Sequence, residues 1–254
     1  MSRGKSSLSL WERGLEKVIL HEVIMWEISE QEMEALLLSL KIASWSTFLS
    51  CPPAVLAGWF LARWNFTGKA LVDGLIHLPL VLPPIVPGYL LLLLFGYNGI
   101  IGRWLHEQFG IALVFNWKGA VLASMVMAFP LIVRSVTLSV AAIDQRLENA
   151  ARTLGATPLW VFVSITLPLA APGILAGAVL GFSRSLGEFG ATITFVGNIE
   201  GETRTLPLAI YSAIQQPGGD DQAARMVILS VVLALSALGI SEYLNRRLYP
   251  KEKN

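Results

Sequence analysis

The residues with most chemical content form one polar stretch between two apolar runs: Asp144-Gln145-Arg146-Leu147-Glu148-Asn149-Ala150-Ala151-Arg152-Thr153-Leu154-Gly155. After nine intervening residues comes Ile165-Thr166-Leu167-Pro168. Small Ala150 and Ala151 permit close helix approach. Gly155 suits the left-handed end of a short helix, and Pro158 stands just beyond it. Arg146, Glu148 and Arg152 are expected to give this short helix a charged surface. The work such a unit can do is mechanical: residues 144–157 make a compact knob able to dock into a partner's groove. The plainer reading is a polar loop between helices.

Other groups could act on an anion. Arg184 and Glu188 are four residues apart. They read either as a gate, with Arg184 attracting a dianion and Glu188 orienting it, or as a structural ion pair at a helix end, the simpler of the two. Thr192, Thr194, Asn198, Thr203 and Thr205 offer neutral donors, or else form an ordinary polar loop. Pro79, Pro83, Pro84 and Pro87 fall in one apolar run with Gly88. Each proline removes an N–H donor, so this run is expected to bend or break, and broken backbone at membrane depth lines a wet cavity or packs inside protein. Arg134 is placed to snorkel or to pair with another helix. His77 reads as a hydrogen-bonded interior histidine, since no second His or Cys stands at metal-ligand spacing.

No catalytic residue is assigned. His21, His77 and His106 have no Ser or Cys nucleophile beside them in an evident motif. The chain lacks GxxxxGK[ST], the phosphate-cradling loop of ATPases. Cys51 has no CxxC or Cys/His partner. No repeated selectivity filter marks an ion channel. A proton-coupled carrier needs acids in mid-helix, whereas Asp73 and Glu242 stand at helix ends. A net charge of +1 gives no bulk attraction to nucleic acid.

The elements that must position these groups are membrane helices. Charged residues make up 15% of the 254 residues, against about 25% in soluble domains. Residues 42–62, 74–102 and 153–183 contain no Asp, Glu, Lys or Arg. About 20 apolar residues cross a bilayer core, and in lipid the helix satisfies its own backbone. The fold class is therefore all-α, a polytopic transmembrane bundle of about five spans: 35–62, 71–97, 119–143, 158–185 and 222–245. A mixed region, 186–221, is rich in Gly, Thr and Pro. The domain reading is an extension 1–34, a transmembrane domain 35–245 and a tail 246–254.

Five crossings put the chain ends on opposite sides. With the C-terminus inside, Arg63, Lys69, Arg146, Arg152, Arg246, Arg247, Lys251 and Lys253 are cytoplasmic, against Arg103, Lys118, Arg204 and Arg225 outside. That bias predicts N-out and C-in. Arg3, Lys5, Arg13 and Lys17 conflict with it. The conflict vanishes if translation starts at Met25; the rival is a sixth, weak or interfacial N-terminal helix.

The knob resembles the coupling loop of ABC importer permeases, whose pattern is Glu-Ala-Ala, three residues, Gly, nine residues, Ile-x-Leu-Pro. One position departs: the family's Glu falls on Asn149, with Glu148 just before it. The resemblance implies a type I ABC importer permease fold. It also implies a second copy of the chain, two ATPase subunits that bind ATP and magnesium, and an external binding protein, with no cofactor or metal in this chain. From about Leu36 to Glu242 the chain is similar to molybdate permeases. The similarity is carried by Phe66-Thr67-Gly68-Lys69-Ala70, by Leu78-Pro79-Leu80-Val81-Leu82-Pro83-Pro84, by Gly187-Glu188-Phe189-Gly190-Ala191-Thr192, and by the run from Gly197 to Tyr211. Sulfate permeases share Gly-Glu-Phe-Gly-Ala and the Leu-Pro run, while Thr203-Arg204-Thr205-Leu206-Pro207-Leu208-Ala209-Ile210-Tyr211 resembles the molybdate branch. Tungstate and sulfate stay open as substrates, and an ATP-independent anion carrier stays open as a different class.

Overall fold

The computed structural model describes residues 28–248, with side chains through residue 239. The start at Met25 and the rival helix before it lie outside the described residues. In chain order the elements are α1 (Glu30–Arg63), α2 (Lys69–Val81), α3 (Ile85–Phe95), α4 (Ile100–Phe109), α5 (Trp117–Ala141) and α6 (Gln145–Thr153). They continue with α7 (Pro158–Val161), a π-helical turn (Phe162–Thr166), α8 (Leu167–Leu186), α9 (Gly190–Val196), α10 (Leu206–Ile214) and α11 (Asp220–Leu248). No strand occurs among the described residues. Among the described residues four helical segments are long and apolar enough to span a bilayer, and α2 with α3 makes a fifth if the bent pair counts as one.

α1 begins at Glu30, before the Ala35 boundary drawn from hydropathy. Its start is a capping box: the Ser29 hydroxyl accepts from Glu32 N–H, and the Glu32 carboxylate accepts from Ser29 N–H. At 1.5 Å per residue the helix is about 51 Å long, well over the roughly 30 Å hydrocarbon core. The apolar stretch 42–62 matches that core. At one boundary Lys41 Nζ sits 3.7 Å from the Trp117 ring centroid, and at the other stands Arg63. The helix is long enough for the part before Lys41 to project beyond the bilayer. There Ala35 packs with Leu206, Ala209, Ala213, Ala223 and Met226 of α10 and α11. The buried Glu32 carboxylate holds Arg225 at 3.0 Å.

α5 is the central helix. It runs parallel to α1, since Lys41 meets Trp117 near one end and Gly58 meets Val136 toward the other. α8 runs antiparallel to both. Gly173 faces Ser139, Gly177 faces Ser135 and Ile132, and Gly181 faces Ile132 and Ala128. Lipid tails supply no hydrophobic force between helices, so small residues that let backbones approach, and hydrogen bonds between helices, hold such contacts. Ser135 Oγ donates to the Gly173 carbonyl at 2.8 Å, and Ser46 Oγ donates to Ser185 Oγ at 2.8 Å.

The proline-rich crossing is not one through-going helix. α2 and α3 meet at 109°. The break falls at Leu82, whose backbone is extended (φ −71°, ψ 145°), because Pro83 disfavours the helical conformation in the residue before it. The mixed region 186–221 proves to contain two short helices, α9 and α10, held by buried Phe195, Val196, Leu206 and Leu208.

Candidate functional site

Two constellations stand out, one toward each end of the bundle. At the Arg63 end is the knob. Asp144 caps α6 by accepting from Arg146 N–H at 2.9 Å. The helix closes as the sequence predicts: Gly155 has φ +88°, Gly155 N–H donates to the Arg152 carbonyl, and Ala156 N–H donates to the Ala151 carbonyl. That is a Schellman end. The Thr157 hydroxyl then caps α7, which opens on Pro158.

Glu148 corrects the sequence-based expectation. It does not join Arg146 and Arg152 on the knob's surface but turns inward. Its Oε1 accepts from Arg63 Nη2 at 2.8 Å, Arg63 Nε at 3.1 Å and Thr166 Oγ1 at 2.7 Å. Arg63 Nη2 also donates to the Ile143 carbonyl at 3.4 Å. The side chains of Arg63 and Glu148 are 9% and 6% exposed, so this is a buried, multiply bonded ion pair. The side of α6 that faces the bundle meets the end of α1 there, and a carboxylate on that side is retained only because a cation neutralises it. Thr166 reaches Glu148 from the π-helical turn. In that turn Leu167 N–H donates to the Phe162 carbonyl, five residues back. Pro168 follows and has no N–H to give. The Ile165-x-Leu167-Pro168 run is thus the place where the helix widens, a geometry frequent at functional sites. Of the other predicted knob residues, Arg146, Asn149, Ala150 and Pro168 are exposed and Ala151 is half-buried.

Further along the bundle, α3 and α9 cross with their backbones in contact. A Cβ on Gly88 would lie 2.7 Å from the Ala191 carbonyl oxygen, and one on Gly190 would lie 2.6 Å from Pro84 Cβ. This brings the Pro83–Pro84 break against the Gly187-Glu188-Phe189-Gly190-Ala191 run. Glu188 is the brace. Its Oε1 accepts from Ala191 N–H at 2.8 Å, and its Oε2 lies 2.6 Å from Arg184 Nη1, close but not aligned as a hydrogen bond. The Glu188 side chain is 1% exposed and that of Arg184 is 26% exposed. The structural role of the pair is therefore present, while the guanidinium keeps an open side. Thr194 Oγ1 donates to the Gly190 carbonyl at 2.8 Å. Thr192 Oγ1 is buried without a hydrogen-bond partner among the described residues.

The wider Thr/Asn group does not converge as a donor set. Asn198 accepts from Arg204 Nε at 3.0 Å and donates to Ser212 Oγ at 2.7 Å. Thr203 Oγ1 accepts from Ile199 N–H at 2.9 Å. These contacts order the 197–205 loop and tie it to α10. Arg134 is exposed. His77 Nδ1 lies 2.8 Å from the Asp73 carbonyl oxygen. A larger cleft of about 470 Å³ between α1, α2 and α5 is lined by Pro53, Leu75, Ile76, Pro79, Met125 and Phe129. Its walls are apolar except for Ser50, whose buried hydroxyl has no hydrogen-bond partner among the described residues. Two contacts were not foreseen from sequence, Glu32–Arg225 and Arg63–Glu148; only the Ser29-x-x-Glu32 capping signal pointed to either.

This bundle is a multi-pass membrane protein with the fold of ABC importer permeases. It superposes on a chain of a bacterial ABC transporter involved in alginate import with a TM-score of 0.73, at 18% identity, covering 94% of this chain and 90% of that one. For the MetNI methionine ABC transporter the TM-score is 0.65, again at 18% identity, with 87% and 100% covered. The chain belongs to the family of binding-protein-dependent transport system inner membrane components, whose model matches residues 54–249. It is 57% identical over 220 residues to the molybdenum transport system permease protein ModB of Haemophilus influenzae, covering 87% of this chain and 96% of that one. The ModB of Escherichia coli K12 is 55% identical over 219 residues, with 86% and 96% covered. The sulfate transport system permease protein CysT of the same strain is 40% identical over 184 residues, with 72% and 65% covered.

Proposed function

We propose that this chain is the permease subunit of an ATP-driven molybdate importer. The observation that carries the substrate is identity above one half to two molybdenum permeases along nearly their full length. In this reading two copies line one pathway, an external binding protein delivers the dianion, and a separate ATPase subunit binds ATP and magnesium. The Arg63 end faces the cytoplasm, in keeping with the Lys and Arg bias, and the Glu32 end faces out.

The geometry supports a route for coupling. A push on α6 reaches α1 through Arg63–Glu148 and reaches α8 through Thr166. α8 spans about 30 Å at 1.5 Å per residue. Its far end carries Ser185, hydrogen-bonded to Ser46 of α1, and Arg184, ion-paired with the Glu188 brace at the α3–α9 crossing. Motion of the knob is thereby delivered to the broken helix, where Pro83, Pro84, Arg184, Glu188, Thr192 and Thr194 border the pathway.

The test is uptake of labelled molybdate by cells that lack and then regain the gene, with sulfate and tungstate as competitors. The expected result is loss and recovery of molybdate uptake that excess sulfate does not suppress. Unchanged molybdate uptake alongside lost sulfate or tungstate uptake contradicts the substrate and leaves the importer class standing.

A further inference from the structure

Glu148 is consumed inside the bundle, so its charge is unavailable to a partner. What the knob presents instead is read directly from α6. Gln145, Asn149 and Arg152 follow one another at helical spacing along one side. With Trp59, Arg63, Trp64 and Glu148 they line a polar recess of about 140 Å³. Arg146 and Arg152 are exposed, and neither has a carboxylate within salt-bridge distance among the described residues. Leu147 and Leu154, seven residues apart, are 51% and 89% exposed. The one exposed carboxylate of the segment, Asp144, sits at the helix start and is engaged as its cap. The docking face is therefore cationic and hydrogen-bonding along one side and apolar along the other.

We infer that the ATPase subunit meets this knob with an acidic-rimmed, apolar-floored groove. Carboxylates pair with Arg146 and Arg152, one of them reaches the recess beside Asn149, and apolar side chains take Leu147 and Leu154. This rests on the proposed coupling to an ATPase subunit and specifies its chemistry. The sign of the contact is opposite to that expected of a knob with a glutamate at position 149, because here the carboxylate stands one residue earlier and is turned inward. Complementary charge across an interface selects the partner, and like charges juxtaposed there are costly.

The experiment purifies the complex through a tag on this chain, co-expressed with its ATPase subunit, and measures ATPase subunit retained per permease as KCl is raised. Membrane levels of every variant are checked first, and all the substituted side chains are exposed. Arg146→Glu with Arg152→Glu is expected to cut retention about tenfold, while the two Arg→Lys changes retain most of it. Asn149→Glu is expected to weaken retention and Asn149→Lys to preserve or strengthen it. The reverse order at position 149, or full retention by the double Glu variant, overturns the acidic groove and leaves ATPase coupling intact. A wild-type complex that contains no ATPase subunit overturns both.

Discussion

Glu148→Ala is expected to destabilise the purified chain by about 3–5 kcal/mol, because it strands a buried arginine without its carboxylate. Arg63 then keeps only its 3.4 Å bond to the Ile143 carbonyl, and Thr166 loses the acceptor for its hydroxyl. Thermal unfolding in detergent reads the first effect. Replacing both ions by apolar side chains, Arg63→Met with Glu148→Leu, removes the stranded charge, and such swaps are often neutral in stability. That double variant is expected to unfold near the wild-type temperature and still couple poorly: ATP hydrolysis continues while uptake falls several-fold. If the double variant transports as well as the wild type, the ion pair is a packing device and does not transmit motion.

Gly88→Val is expected to abolish most uptake while leaving the knob able to hold its partner. The new Cβ would meet a backbone carbonyl, that of Ala191, at 2.7 Å, and the Ala191 Cα at 2.9 Å. No side chain can rotate away, so α3 and α9 must separate, at a cost of about 1–3 kcal/mol typical of overpacking. The Pro84–Gly190 contact lies one turn before and moves with it. Gly181→Ala is the control. Its Cβ would come as close, 2.7 Å from Ile132 Cδ1 and 2.8 Å from Cγ1, but it meets a side chain that can turn about χ1 rather than a backbone. Uptake and ATPase retention measured side by side separate the two. A Gly88→Val protein with normal uptake would falsify a transport role for the α3–α9 crossing.

Much of this architecture is legible in the sequence because the bilayer imposes strong signals. Charge-free runs reveal the spans, and four prolines with a glycine reveal that one of them is broken. The size of the bend, 109°, is not legible, since prolines mark where a helix breaks and not the direction in which it resumes. The knob's outline follows from Gly155 and Pro158, local features with local consequences. The direction of Glu148 does not. A nine-residue helix carrying Arg146, Glu148 and Arg152 has several plausible inner faces, and the deciding partner, Arg63, is 85 residues away. Glu32 and Arg225, 193 residues apart, pose the same difficulty. Hydropathy places the start of α1 late because Glu30, Glu32 and Glu34 mask it, whereas the Ser29-x-x-Glu32 capping box marks the true start. α9 and α10 were hidden for another reason. Short helices have little intrinsic stability, and these are maintained by burial against α3, α5, α1 and α11.

The most direct test of the whole account is accumulation of labelled molybdate in sealed vesicles. These would contain the purified complex, with the binding protein on one face and ATP supplied to the other. Accumulation that needs hydrolysable ATP and persists when proton and sodium gradients are collapsed is the predicted result. Accumulation driven by an ion gradient without ATP would contradict it and make the chain an anion carrier.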